Sequence, residues 1–433
     1  MTGAAVARQA GGGRRPGGGL LRHRDFRLLW AAQASSRLGS SVTGVAVPLV
    51  AVATLKATTF QTALLYAATW LPWLIVGLPA GAWVDRLRRG PVMIACDTAS
   101  MLLFLSVPVA AWLDVLTIGH LLAVAFAAGT AAVFFQTAYQ AYLPALLDRR
   151  TLPEGNAKLQ GTEAAMQVAG PGVAGLVAQL ASAVTAVLLD AVSFAVSALC
   201  LRAIRFREPP REPRRAAANL LREITDGIRF VARDPYLRVL TVFGAVSNLG
   251  LIGYQSILVV FLVRDVGVGA GVVGVLLAAI SCGGVLGAVI ATPIGRRFGT
   301  ARGVLLCGAG ALPFALLIPL AGAGPRLALL VAGGLVIGVG VVAGNVIKGT
   351  FRQRYTPPEL LGRVLASMQF VNLGAIPVGA LVAGTLGTAL GVRPTMWIMC
   401  GGLALTGLIL LVGPLKHRRD LPERPADPQL ASA

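Results

Sequence analysis

The chain alternates between long apolar stretches and short segments rich in charge, Gly or Pro. A helix needs about 20 predominantly apolar residues to cross the hydrocarbon core of a bilayer. Twelve stretches of that kind occur, at 27–53, 60–84, 91–113, 117–141, 161–181, 183–203, 238–263, 270–293, 302–321, 326–349, 364–389 and 393–415. None has the alternating polar period of a barrel strand. The pattern predicts an all-α membrane protein with twelve transmembrane helices.

The composition agrees with this prediction. Of 433 residues, 56% are hydrophobic and only 13% are charged, which is too apolar to cover soluble domains of this size. The Cys residues argue against a disulfide scaffold, because they are odd in number and scattered through apolar runs: Cys96, Cys200, Cys282, Cys307 and Cys400. The three His residues lie far apart, so we expect no metal site and no cofactor.

The net charge of +20, from 38 Lys and Arg against 18 Asp and Glu, could indicate a nucleic-acid partner. However, 33 of the basic residues fall in the two tails and the even-numbered loops, including four after span 10. Only Lys56, Arg264, Arg326 and Arg393 fall on the opposite side. The positive-inside rule therefore predicts a multi-pass inner (plasma) membrane protein with both termini cytoplasmic, and no nucleic-acid partner. Arg37 lies inside span 1 and is the one basic residue that falls on neither side of the membrane, so it is the basic candidate for a functional role.

The longest predicted cytoplasmic connection divides the spans into six and six. We predict a disordered N-tail at 1–24, a six-helix bundle at 25–203, a linker at 204–235, a second bundle at 236–415 and a C-tail at 416–433. In the linker, apolar side chains fall at helical spacing, at Leu220, Leu221, Ile224, Ile228 and Val231. This spacing predicts an amphipathic helix at the inner membrane interface, acting either as a tether or as a clamp.

The two halves show an internal repeat. Ser36-Arg37-Leu38-Gly39 precedes Ser247-Asn248-Leu249-Gly250 by 211 residues. Pro171 corresponds to Pro377 at the same offset if the second half is about five residues shorter between its third and fourth spans. Two parallel six-helix repeats are typical of alternating-access transporters, which bind substrate between the halves. We therefore expect a transporter without enzymatic activity.

The loop after span 2 carries a recognisable motif. Gly81, Asp85, Arg86 and Arg89 resemble the G-x-x-x-D-R-x-G-R-R signature of the major facilitator superfamily, with Arg88 in place of the second Gly. The resemblance implies a cytoplasmic gate, in which the acidic side chain docks on a helix terminus of the other half. Asp97, two turns into span 3, could join this network with Arg86 or Arg89, or simply hold its helix in register.

Span 5 carries a second motif, running from Gly170 to Gly175. Gly170, Pro171, Ala174 and Gly175 resemble the G-P-x-x-G-G core found in exporters and antiporters of the superfamily, although a plain small-residue packing face explains it equally well. Stretches at 143–147, 189–194 and 352–364 resemble the drug and siderophore exporter branch, that of the enterobactin exporter and macrolide efflux proteins. This resemblance implies export of bulky amphipathic molecules.

Polar and aromatic side chains on the helices that this superfamily places around a central cavity are candidates for substrate contact. They are Arg37, Ser40, Tyr66, Trp70, Gln136, Gln140, Asn248, Gln255, Asn345, Gln369 and Asn372. Arg37 lies about 15 Å deep in span 1. Two roles stay open for it: receiving an anionic or polar substrate group, or being satisfied by carbonyls and Gln side chains.

Proton coupling needs a titratable group, and the candidates are Asp97, Glu163 and Asp190. Glu163 is expected to begin span 5, and Asp190 to pack against Ser193. With these spans no cavity-lining helix has a carboxylate near its middle, which weakens a simple carboxylate mechanism. We expect a monomeric, proton-coupled exporter whose partners are an amphipathic substrate, protons and membrane lipid. The alternatives are a transporter-like receptor or scaffold, and an importer of the same fold.

Overall fold

The computed structural model describes residues 20, 23–84, 86–148, 151–206, 208 and 220–422. This part of the chain consists of helices and their connections, with no strand among the described residues. The α-helices are α1 Arg24–Leu49, α2 Thr59–Ile75, α3 Gly77–Val84, α4 Arg89–Trp112, α5 Ile118–Leu146, α6 Leu152–Leu180, α7 Ala183–Arg202, α8 Leu220–Arg233, α9 Pro235–Val260, α10 Ala270–Phe298, α11 Thr300–Leu305, α12 Leu327–Tyr355, α13 Pro358–Ala389, α14 Val392–Leu405 and α15 Gly407–Val412. Short π-helical segments extend three of them, at Val50–Thr54, Phe261–Asp265 and Leu306–Gly310, and 3-10 segments occur at Leu312–Leu317 and Gly324–Arg326.

Helices occupy all twelve predicted span positions. Ten of the twelve are long and apolar enough to cross a membrane, judged by length and composition over the described residues. The second position falls short because α2 has only 17 residues, stops at Val76 and resumes as α3. The fifth falls short because α6 carries Lys158, Glu163 and Gln167 among its apolar residues. The all-α membrane fold is confirmed, and ten of the twelve spans are confirmed individually.

Side-chain caps explain where several of these helices begin. Thr58 and Gln61 form a reciprocal capping box at the start of α2. Ser182 accepts from the backbone N–H of Thr185 at the start of α7, and Asp234 accepts from two amides at the start of α9. Such caps satisfy backbone donors that have no partner inside the helix.

The predicted repeat is confirmed by the helix boundaries. α1 and α9 each have 26 residues, each continue into a five-residue π-helical segment, and begin 211 residues apart, at Arg24 and Pro235. α2 and α10 begin at the same offset, at Thr59 and Ala270. α5 and α12 both have 29 residues and are offset by 209, from Ile118 to Leu327. These helices of one half therefore have counterparts in the other.

The two halves meet along the helix pairs α2–α13 and α6–α10. In both pairs, small residues allow the backbones to approach closely. Gly175 of α6 lies against the backbone of Gly274 in α10, and Gly384 of α13 lies against Ala63 of α2. All four residues lie within about two turns of the helix ends on the predicted outer side. The halves are therefore closed against each other on that side.

The linker helix predicted from the sequence is present as α8. Its Gly227 lies against the Arg363 carbonyl of α13, and Phe230 and Val231 are buried. Residues 209–219 of the linker and most of both tails lie outside the described residues. The position of α8 at the membrane interface and its role as tether or clamp stay predictions.

Candidate functional site

Three polar side chains meet inside the N-terminal half. Arg37 of α1 donates from Nη2 to Oε1 of Gln136 on α5 at 3.0 Å, and its Nη1 lies 3.4 Å from Oε1 of Glu163 on α6. The Arg37 and Glu163 side chains are 34% and 37% exposed, so water reaches this ion pair. The glutamine contact expected for Arg37 is present, and its charge is balanced by a carboxylate, as charges within membranes usually are.

The predicted position of Glu163 at the start of its helix is wrong. α6 begins at Leu152, which places Glu163 eleven residues, or about 16 Å, into the helix. The first two turns of α6 carry Glu154 and Lys158, so they lack the apolar character by which a span is recognised. The expectation that no cavity-lining helix has a carboxylate near its middle is therefore also wrong.

A cavity of about 440 Å³ lies within the C-terminal half, between α9, α12 and α13. Four predicted candidates line it: Asn248, Asn345, Gln369 and Asn372. The Asn248 amide donates to the backbone carbonyl of Asn372 at 3.2 Å, and the Asn372 amide donates to the carbonyl of Met368 at 2.7 Å. The first bond joins α9 to α13, and the second lies within α13. The Asn345 and Gln369 side chains are exposed and line the cavity.

The polar groups of the two halves occupy equivalent positions. In each half, one polar residue lies thirteen residues after the start of the first span, which is α1 or α9. A second lies ten residues before the end of the fourth span, α5 or α12, and a third lies eleven residues after the start of the fifth span, α6 or α13. The pairs are Arg37 with Asn248, Gln136 with Asn345, and Glu163 with Gln369. The repeat thus builds one arrangement twice, with an ion pair in one half and amides in the other.

Two cationic side chains of the C-terminal cavity were missed by sequence reasoning. Lys348 and Arg352 line the cavity, with Lys348 Nζ 4.8 Å from the centre of the Phe243 ring and Arg352 Nε donating to the Lys348 carbonyl. Lys348 lies at the very end of predicted span 10 (326–349) and, like Arg352, was counted with the loop that follows it, whereas α12 continues to Tyr355. Their spacing of three and seven residues from Asn345, which puts all three on one helix face, is the signal that could have found them.

The other predicted cavity residues lie elsewhere. Tyr66 and Trp70 pack beside Ile252 and Ile376 in an apolar cluster where α2 meets α9 and α13. Ser40 and Gln140 are exposed, and Gln255 is half-buried. Most of the predicted set is therefore divided among the ion pair, the C-terminal cavity and this cluster, whereas Ser40, Gln140 and Gln255 belong to none of them. Substrate contact stays a prediction for all members of the set.

The gate motif is described except for Asp85, which lies outside the described residues. Gly81 has open space beside it within α3, and Arg86 is exposed. Arg89 is buried, and its guanidinium donates to the Ala141 carbonyl of α5. These positions lie around the predicted cytoplasmic end of α4.

A carboxylate that sequence reasoning did not single out joins this loop. The backbone N–H of Arg89 donates to Oε2 of Glu208 at 2.9 Å, so Glu208 satisfies a free donor at the N-terminus of α4. Burial raises the pKa of the Glu208 carboxyl, while the Arg88 charge and the Gly90 N–H act in the opposite direction.

The predicted contact of Asp97 with Arg86 or Arg89 is wrong. Asp97 is fully buried and accepts a hydrogen bond from Ser197 of α7 at 2.5 Å. Two turns into α4, its helix face points to α7 and away from the loop. The alternative role, holding this helix in register, agrees with that contact.

Asp190 is buried as well. It accepts from the hydroxyl of Ser193 at 3.0 Å, as predicted, and it faces Gly39 of α1, where a side chain would leave no room for the carboxylate. Asp97 and Asp190 are therefore both enclosed by the packing of α1, α4 and α7.

The motif of span 5, Gly170 to Gly175, lies on α6 where three helices meet. Gly170 packs against Ser41 of α1, and the Pro171 carbonyl and Gly175 lie against Gly274 of α10. Ala174 is completely buried. The tight packing expected of the motif is present, and it joins the two halves.

Comparison with known proteins agrees with this architecture. Residues 19–431 match the family model described as "Transmembrane secretion effector". The chain is 28% identical over 411 residues to the multidrug efflux pump Tap of Mycolicibacterium fortuitum, covering 92% of this chain and 98% of that protein. It is 25% identical over 405 residues to the enterobactin exporter EntS of Shigella dysenteriae serotype 1, covering 93% and 95%.

Solved structures show the same fold at low identity. A bacterial homologue of the iron transporter ferroportin aligns with a TM-score of 0.72 in its inward-facing state, at 16% identity over 93% of this chain and 100% of that chain. The outward-facing state of such a homologue aligns with a TM-score of 0.60, at 17% identity over 91% and 100%. The chain is thus a multi-pass membrane protein that belongs to the transmembrane secretion effector family of the major facilitator superfamily.

Proposed function

We propose that the protein is a secondary active exporter of small amphipathic molecules, driven by protons and working by alternating access. Support for export comes from relatives named as a multidrug efflux pump and an enterobactin exporter. The span 5 motif on α6, from Gly170 to Gly175, adds to this support. That these proteins and the family are membrane transporters also fits the expectation of no enzymatic activity. The observation that carries the mechanism is the water-accessible ion pair between Arg37 and Glu163.

The contacts between the halves support alternating access. The α6–α10 and α2–α13 contacts close the outer side. An outward-open state requires these helix pairs to separate there, while the cytoplasmic ends come together. Because the contacts are made by Gly and Ala, few side chains need to rearrange when the halves rock.

Glu163 is the carboxylate best placed for proton coupling. Its neighbour Arg37 lies at 3.4 Å, and both are reached by water, whereas Asp97 and Asp190 are enclosed. Protonation of Glu163 would break the ion pair and free the Nη1 side of the Arg37 guanidinium for a substrate group, while Gln136 still accepts from Nη2. Proton binding and substrate binding would then depend on one set of contacts.

The orientation and assembly belong to this proposal as well. The charge distribution supports an inner-membrane protein with both termini in the cytoplasm. We propose that it acts as a monomer, because its two halves already supply both sides of the transport pathway.

The test uses inverted membrane vesicles from cells that express the protein. With an imposed proton gradient, these vesicles should accumulate a macrolide such as erythromycin, and an uncoupler should abolish the accumulation. Glu163→Gln should lose the gradient dependence. Glu154→Gln is the matched control, because Glu154 is an exposed residue in the first turn of the same helix and pairs with Lys158 at 3.4 Å.

Each result decides a separate point. Macrolide accumulation by the wild type that is the same with and without the proton gradient would refute proton coupling. A wild type that accumulates none of a panel of macrolides, dyes and siderophores would favour the receptor or scaffold alternative. Equal losses in both Glu variants would remove the coupling role from Glu163.

A further inference from the structure

The two halves differ in electrostatic balance at equivalent depths. In the N-terminal half, the charge of Arg37 is matched by Glu163. In the C-terminal half, the equivalent positions carry the neutral amides Asn248 and Gln369. The C-terminal cavity nevertheless contains two cationic side chains, and its lining, which belongs entirely to the described part of the chain, includes no Asp or Glu.

Lys348 is held at the cavity wall by its own helix. It lies seven residues before the end of α12, or about 10 Å inside the helix terminus. Its ammonium group lies 4.8 Å from the Phe243 ring, a cation–π contact that orients the charge without neutralising it. Among the described residues, neither Lys348 nor Arg352 has a carboxylate within ion-pairing distance.

The remaining lining fits an amphipathic ligand. Asn345 and Gln369 are exposed amides that can donate to oxygen atoms. Leu251 and Leu373 add apolar surface to the same wall. Cations, amide donors and apolar side chains around about 440 Å³ are the features of a site that holds an apolar body by one charged group.

We propose that this cavity binds the anionic group of an amphipathic ligand, a carboxylate, sulfonate or phosphate, between Lys348, Arg352 and the Asn345 amide. A cation at a partly buried site is stabilised by an opposite charge, and because the cavity lining includes no Asp or Glu, that charge must come from the ligand. The inference deepens the proposed export function and rests on it for a transported ligand. An anionic lipid headgroup has the same chemistry and is the other source.

The test measures binding, so it does not depend on transport. The full chain is placed in phosphatidylcholine nanodiscs, and the affinities for naphthalene-2-sulfonate and the neutral naphthalene-2-sulfonamide are measured by isothermal titration calorimetry. Lys348→Gln should weaken sulfonate binding by roughly tenfold or more and change sulfonamide binding by less than about twofold. Lys348→Arg should retain most of the sulfonate affinity.

Arg354→Gln is the matched control, because it removes the same charge from the last turn of α12 at an exposed position outside the cavity. It should bind both probes as the wild type does. If Lys348→Gln does not fold, judged by its melting temperature, Arg352→Gln takes its place. Sulfonate affinity that is unchanged in the cavity variant, or lost equally for both probes, overturns the proposal.

Two further arms identify the source of the anion. Competition by phosphatidylglycerol in the wild type but not in Lys348→Gln assigns the site to a lipid headgroup. Lack of competition, with sulfonate accumulation by wild-type inverted vesicles, assigns it to a transported ligand. A wild type that transports nothing but binds sulfonate through Lys348 refutes the export function and leaves the anion site intact.

Discussion

The approach of Gly175 to α10 is a contact between the halves that a single methyl group should disturb. A Cβ at Gly175 would lie 2.6 Å from the Cα of Gly274 and 2.9 Å from the carbonyl oxygen of Ala270. Both are backbone atoms, which cannot rotate away as a side chain can. Gly175→Ala should therefore push α6 and α10 apart on the outer side.

The expected magnitude follows from overpacking in proteins, where inserting a methyl into a filled contact costs about 1–3 kcal/mol. The cost applies to the closed outer arrangement and is relieved when the helices separate. It should shift the equilibrium toward the outward-open state by roughly 5- to 150-fold. Gly172→Ala is the control, because its Cβ would lie 3.8 Å from that of Ala278, an ordinary contact.

Hydrogen–deuterium exchange of the full chain in nanodiscs can detect this shift without labels. In Gly175→Ala, amides at the outer starts of α10 and α2 should exchange faster than in the wild type, while Gly172→Ala should resemble the wild type. The reasoning is refuted if the two variants exchange alike, because the closed state would then not depend on the Gly175 contact.

Other contacts give further predictions. Gly39→Ala should lower the free energy of unfolding by about 1–3 kcal/mol, because its Cβ would overlap the side chains of Ser193 and Asp190 on α7. Gly44→Ala is the control, because a Cβ there would meet nothing within 4 Å. Melting temperatures in detergent should fall for the first variant and not for the second. Ser197→Ala should cost about 1–3 kcal/mol because buried Asp97 loses its donor, and the cost should shrink in an Asp97→Asn background, as a double-mutant cycle would measure. Asp85→Asn should impair export in the vesicle assay, and unchanged export would remove the gate role from that residue.

The sequence was sufficient for the helical framework and its duplication. A bilayer requires long apolar helices whose backbone groups are bonded internally, so each span is visible in its own segment without reference to any other. The repeat was visible because Ser36 to Gly39 and Ser247 to Gly250 keep the same spacing from the start of their helices. The tight packing at Gly170 to Gly175 was readable for a similar reason, since small residues and a proline describe a helix face.

The partners of the charged residues were decided only by the tertiary structure. Glu163 was assigned to a helix end and Lys348 to a loop, because polar turns extend helices beyond the apolar runs that reveal them. Asp97 accepts a hydrogen bond from Ser197 and does not contact an arginine. Which side chains it contacts depends on the rotation of α4 about its axis and on how α4 packs against α7. Hydropathy reports how readily each segment, taken alone, enters lipid. An ion pair such as Arg37 with Glu163 depends instead on the relative placement of two helices whose paired residues are more than a hundred residues apart in the chain.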